Sequence, residues 1–242
     1  MKENSSLGKN FGTIILGIII IIGMFVLIQV PQVVLVLFNK VFEKNNQFVN
    51  ILLSICWLLI LAGIIWFMWG YYRKKSGDVD TKITGKDVWR AVKFFLLGRV
   101  IAILGTGLME QFYGNATSAN DETIQSLFSS DASVYFVLLM AVTIAVGAPI
   151  LEELVFRGIP TALLFKNTSK WVPLILTSLA FSSVHLFSNP ISFAMYAILG
   201  GIMYWAYCYK GRIIDSMMFH FLNNIFGAIA LLISYFTGQS IF

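Results

Sequence analysis

Residues 134–158 read VYFVLLMAVTIAVGAPILEELVFRG. No charge interrupts this run before Glu152. That makes it a membrane-crossing helix, since about 20 apolar residues span a bilayer core of roughly 30 Å. Glu152, Glu153 and Arg157 then close the run. An ionisable side chain at membrane depth is costly and marks a functional site by default. The chain has two histidines, His185 and His220, and both stand in later apolar stretches. Two carboxylates, one arginine and every histidine therefore gather in the C-terminal segments.

Composition agrees with the class that this run sets. Hydrophobic residues make up 58% of the 242 and charged residues 12%, half of the roughly 25% usual in soluble domains. The expected fold is all-α, a polytopic bundle of about seven transmembrane helices. Uninterrupted apolar runs exclude the alternating ten-residue pattern of a membrane β-barrel. The net charge of +5 sits in loops, where it reports orientation in the membrane rather than nucleic-acid binding. Cys56 and Cys208 lie in apolar segments without a disulfide or zinc spacing.

Seven spans are expected, at about 11–38, 48–72, 89–112, 133–158, 171–187, 191–209 and 213–236. The first is far longer than a secretory h-region of roughly 7–15 residues, so it is read as a retained helix, kinked at Pro31. Arg73, Lys74, Lys75, Lys82, Lys86, Arg90 and Lys93 cluster around the second connection, whereas the third carries Asp121, Glu122 and Asp131 and no base. Basic loops stay inside, so the N-terminus is expected in the cytoplasm. The membrane itself is the lipid partner, and the Ile-, Phe-, Asn- and Lys-rich composition points to a bacterial plasma membrane. Two parts are expected within one membrane unit: N-terminal helices with the basic loop over 1–130, and a core over 131–242 that holds Glu152, Glu153, Arg157 and both histidines.

Glu153 and Arg157 are four residues apart on a helix, close enough for an ion pair. Glu152 points about 100° away and has no such partner, so it is free to face a cavity. A buried unpaired carboxylate is suited to accept a proton near neutral pH. Phe181 lies one turn before His185, where ring and imidazole can stack. Asn224 lies one turn after His220, and the two N–H groups side by side could stabilise a developing oxyanion. Each feature alone also suits hydrogen bonding between membrane helices. At 1.5 Å per residue His185 is about 21 Å into its span and His220 about 10 Å into its own. Tilt, or breaks at Pro149, Pro160 and Gly211, must bring them level if they share a site.

Three motifs carry a resemblance. Glu152-Glu153-Leu-Val-Phe-Arg157 fits EExxxR, Phe181-Ser-Ser-Val-His185 fits FxxxH, and His220-Phe-Leu-Asn-Asn224 fits HxxxN. In that order they resemble the CPBP family of CAAX proteases and bacteriocin-processing enzymes, also called Abi proteins, over roughly residues 130–236. The resemblance implies an intramembrane endopeptidase in which Glu152 activates a water with the help of His185. It further implies an oxyanion hole from His220 and Asn224, with Glu153, Arg157 and Phe181 in support.

The implied partner is a peptide or protein substrate, with a bacteriocin precursor, a peptide toxin and a prenylated protein as the candidate kinds. No cofactor is expected. Zinc held by Glu152, His185 and His220 is the competing arrangement, since those types suit catalytic zinc, but HExxH is absent. The alternative function is self-immunity by binding a peptide toxin or its receptor. A transporter would also place acids and histidines at mid-membrane, but no internal repeat is visible.

Overall fold

The structure, a computed structural model, describes residues 2–42, 46–78, 82–128 and 132–238. The boundary expected between residues 130 and 131 lies outside them. All regular structure in the described residues is helical. We number the helices α1 (Lys2–Asn39), α2 (Gln47–Ser76), α3 (Gly85–Tyr113), α4 (Ala119–Ser126), α5 (Val134–Leu163), α6 (Trp171–Val184), α7 (Pro190–Lys210) and α8 (Ile213–Thr237).

Six of these (α1 from Phe11, α2, α3, α5, α7 and α8) are long and apolar enough to cross a membrane, and the chain is an integral membrane protein. The remaining apolar helix, α6, has 14 residues, which is about 21 Å of rise against the roughly 30 Å of a bilayer core. The span expected over 171–187 therefore stops at Val184. His185 follows it in an extended conformation (φ −81°, ψ 133°). His185 is partly buried there, in the turn that leads to α7.

Each long helix begins and ends where its local chemistry requires. Asn46 accepts from the Val49 amide at the start of α2, and Gly77 closes that helix with φ 69°. At the start of α7 Asn189 accepts from the Ser192 amide and Pro190 needs no donor partner. Asp87 caps the start of α3 through Thr84. The same buried carboxylate meets Arg90 at 3.1 Å, Lys210 at 2.5 Å and Arg212 at 3.0 Å. It thereby ties α3 to the α7–α8 turn and sets where α8 enters the bundle. Helix α1 runs on through Pro31 rather than ending there, and the Pro31 carbonyl accepts the Trp57 indole N–H at 2.8 Å.

Burial separates the bundle into shell and centre. The most apolar windows of α1 and α2 are 11% and 17% buried, whereas those of α5 and α7 are 50% buried. The outer helices face lipid, and α5 lies between α1, α2 and α8. Helix α7 packs against α3, α6 and α8. Residues 153–160, at and beyond the charged end of the 134–158 run, are accordingly all buried. Tyr72 is buried as well, and its ring occupies the space that a side chain at Gly158 would need.

Candidate active site

Helix α5 is not regular. Thr143–Gly147 and Leu154–Gly158 form two π turns, in which the Ala148 amide bonds back to Thr143 and the Ile159 amide to Leu154. Both turns precede a Gly-x-Pro, at 147–149 and 158–160. The cause is local. A proline ring crowds the carbonyl four residues back and brings no N–H, and slipping the preceding amide by one residue relieves the crowding. Such bulges are frequent at functional sites. Pro149 and Pro160 thus widen the helix without breaking it. With the Ala148 amide spent on Thr143 and no N–H at Pro149, the Ile144 carbonyl lacks a helix donor. Asn224 supplies one, its Nδ2 donating to Ile144 at 3.0 Å.

One and a half turns further along, Glu153 and Arg157 form the expected pair at 3.1 Å, both with fully buried side chains. The pair is held from three sides. Arg157 donates to the Gly200 carbonyl at 3.3 Å and lies 4.2 Å above the Phe181 ring. Glycine at 200 is what permits this: a Cβ there would stand 3.2 Å from the guanidinium and 3.2 Å from the Ser178 backbone. Glu153 accepts from His220 Nδ1 at 2.8 Å on Oε1 and from the Ser216 hydroxyl at 2.5 Å on Oε2.

Glu152 is different. Its side chain is 23% exposed, and His220 Nε2 stands 3.9 Å from its Oε2. That gap exceeds a direct hydrogen bond and suits a bridging water. His220 therefore links the two glutamates, with Nδ1 on the buried one and Nε2 towards the open one. Because a carboxylate only accepts, the Nδ1 of His220 carries a proton, and Nε2 becomes a donor only when the ring holds both protons.

Phe181 joins the second motif to the rest. Its ring lies 4.2 Å from the His185 ring and 6.1 Å from that of His220. This brings histidines of unequal depth to one aromatic side chain. His185 Nδ1 is 2.7 Å from the Phe181 carbonyl. A carbonyl cannot donate, so Nδ1 holds the proton and Nε2 is left as an acceptor. On its other face His185 stacks on Tyr196 at 4.8 Å, whose hydroxyl meets Ser118 and Asp121 at 3.0 and 3.3 Å. Among the described residues no group of three or more His, Cys, Asp and Glu side chains could hold a metal ion, and Glu152, His185 and His220 form no such set.

Six of the residues that the motifs single out, Glu152, Glu153, Arg157, Phe181, His185 and His220, thus belong to one connected cluster, and Asn224 joins α5 at the Ile144 carbonyl instead. Two details differ from the sequence reading. Glu153 pairs with His220 as well as Arg157, and the Asn224 amide is already engaged by the π turn. Motif spacing also missed Ser216, Gly200, Met203 and Tyr196. Ser216 was within reach of helical periodicity, being one turn before His220. The other three come from α7, and no local spacing points to them.

The three-motif constellation stands within a family match. Residues 134–226 match the family model described as type II CAAX prenyl endopeptidase Rce1-like. The match covers α5, α6, α7 and the first half of α8, and it agrees with the CPBP resemblance. It supports a CAAX-type endopeptidase, hence a hydrolase with a peptide or protein substrate in a lipid setting. No curated protein and no solved structure matches the chain.

Proposed function

We propose that this protein is an intramembrane endopeptidase in which Glu152 activates a water to attack a peptide carbonyl. The observation that carries this reading is the contrast between two neighbouring carboxylates: Glu153 is buried and takes three donors, and Glu152 is partly open and has no direct hydrogen bond among the described residues. In the proposed reaction Glu152 takes a proton as the water oxygen bonds to the carbonyl carbon. It returns that proton to the nitrogen as the C–N bond breaks. His185 Nε2 accepts from the same water and orients it. The oxyanion is stabilised by His220 Nε2 when the ring is doubly protonated, and by the second N–H of Asn224. Glu153 and Arg157 hold His220 in place. The substrate is a membrane-associated peptide segment, and the setting is a bacterial plasma membrane with the N-terminus inside.

Purified protein in lipid vesicles should cleave such a peptide at a discrete bond, read by mass spectrometry, and Glu152→Gln should not. Vesicles in which both proteins give the same products would end the proposal. The mechanism uses no metal, so turnover should survive a high-affinity zinc chelator. Loss on chelation with recovery on adding zinc would instead make Glu152, His185 and His220 ligands.

Orientation is checked with single cysteines in a version lacking Cys56 and Cys208. Lys75, in the last turn of α2, and Ser126, at the end of α4, are both exposed and flank α3 in the chain. A membrane-impermeant thiol reagent should label Ser126→Cys in intact cells. It should reach Lys75→Cys only once the membrane is opened. The reverse pattern would invert the bundle.

A further inference from the structure

Ser216 belongs to none of the three motifs, yet its hydroxyl touches the centre of the cluster. We propose that Ser216 is a positioning residue for the reaction. It would fix the Glu153 carboxylate and, through it, the imidazole of His220. This inference rests on the proposed roles of Glu152 and His220.

The geometry is specific. Ser216 is fully buried on α8, one helical turn before His220 and on the same face. Its oxygen lies 2.5 Å from Glu153 Oε2 and 2.9 Å from the Met203 carbonyl of α7. Both neighbours are acceptors and a serine has one proton, which favours the charged carboxylate. Glu153 Oε1 already receives Arg157 and His220. Among the described residues Ser216 is the donor that anchors Oε2.

The last torsion of a glutamate is broad, so a carboxylate held through one oxygen can turn about it. Turning swings Oε1 and shifts the hydrogen bond that sets the direction of the His220 ring. The consequence reaches Nε2, which faces Glu152 at 3.9 Å. A buried hydroxyl is costly without a partner, and of its two acceptors here the Glu153 carboxylate is the charged one. The Met203 carbonyl, within α7, borders the same hydroxyl, so the packing of α7 against α8 helps set the direction of one imidazole.

The test is Ser216→Ala, a substitution that removes a single buried oxygen, made in full-length protein and reconstituted in vesicles. Turnover should fall about 10-fold, since a hydrogen bond to a charged group is worth roughly one decade or more, while KM stays at the wild-type value. The chain holds two histidines, so ring nitrogen-15 NMR can follow each, with a His185→Gln sample for assignment. Ser216→Ala should move the His220 ring signals and leave those of His185 in place. An unchanged kcat, after correction for the folded fraction by thermal melting, overturns the proposal, as do unmoved His220 signals. Glu152→Gln run in the same vesicles separates the two layers. If that variant still turns over, the reaction reading fails. If it is inactive while Ser216→Ala keeps full kcat, the failure lies with Ser216.

Discussion

Glu152→Gln should lower turnover by about 10²–10⁴-fold, the range usual for removing a general base, and leave the protein folded and inserted. The substitution keeps the size and shape of the side chain and removes its basicity. Because Glu152 has no direct hydrogen bond among the described residues and is partly exposed, losing its charge strands no fully buried ion pair. The melting temperature in detergent should therefore stay close to that of the wild type. KM should change little, since the lost interaction forms during bond making rather than on binding. Steady-state cleavage of a membrane-anchored peptide, with melting followed in parallel, checks both halves. Near-normal turnover in a folded Glu152→Gln protein would falsify the assignment of the base.

The neighbouring glutamate should behave in the opposite way. Glu153→Gln leaves the Arg157 guanidinium without its counter-ion in a place with no solvent access. Breaking a buried pair from one side costs on the order of 3–5 kcal/mol. Arg157→Met should cost a similar amount, because it strands Glu153 between His220 and Ser216. The two changes made together remove both charges and should recover part of the loss. Thermal melting and yield of membrane-inserted protein across this cycle give the coupling. Strictly additive losses would mean that the two side chains do not act as a pair. Adjacent glutamates one residue apart would thus separate cleanly, with Glu152 governing turnover and Glu153 governing stability.

These outcomes depend on features of unequal visibility. The helical membrane bundle follows from composition and the apolar runs, because lipid offers no partner to backbone groups and a spanning segment must satisfy its own. The pairing of Glu153 with Arg157 follows from spacing, since residues four apart on a helix meet whatever surrounds them. The stacking of Phe181 and His185 has the same origin, and the stack survives even though α6 ends between them.

The length of α6 was not legible, because hydropathy continues through Leu186 and Phe187 while the helix stops at Val184. The bond from Asn224 to Ile144 was not legible either. It needs a carbonyl orphaned by a π turn on one helix and an amide arriving from another. The Gly-x-Pro at 147–149 hinted at the first half alone.

Residue types, their order and their one-turn spacings along single helices were thus determined by the sequence itself, since local geometry is the same in every helix. Spacing pairs Glu153 with Arg157 and leaves Glu152 over, but how far each one is enclosed was decided by tertiary structure. Glu152 and Glu153 are the same residue type at adjacent positions. Only the packing of α7 and α8, through Gly200, Ser216 and His220, closes one face of α5 and leaves the next one reachable.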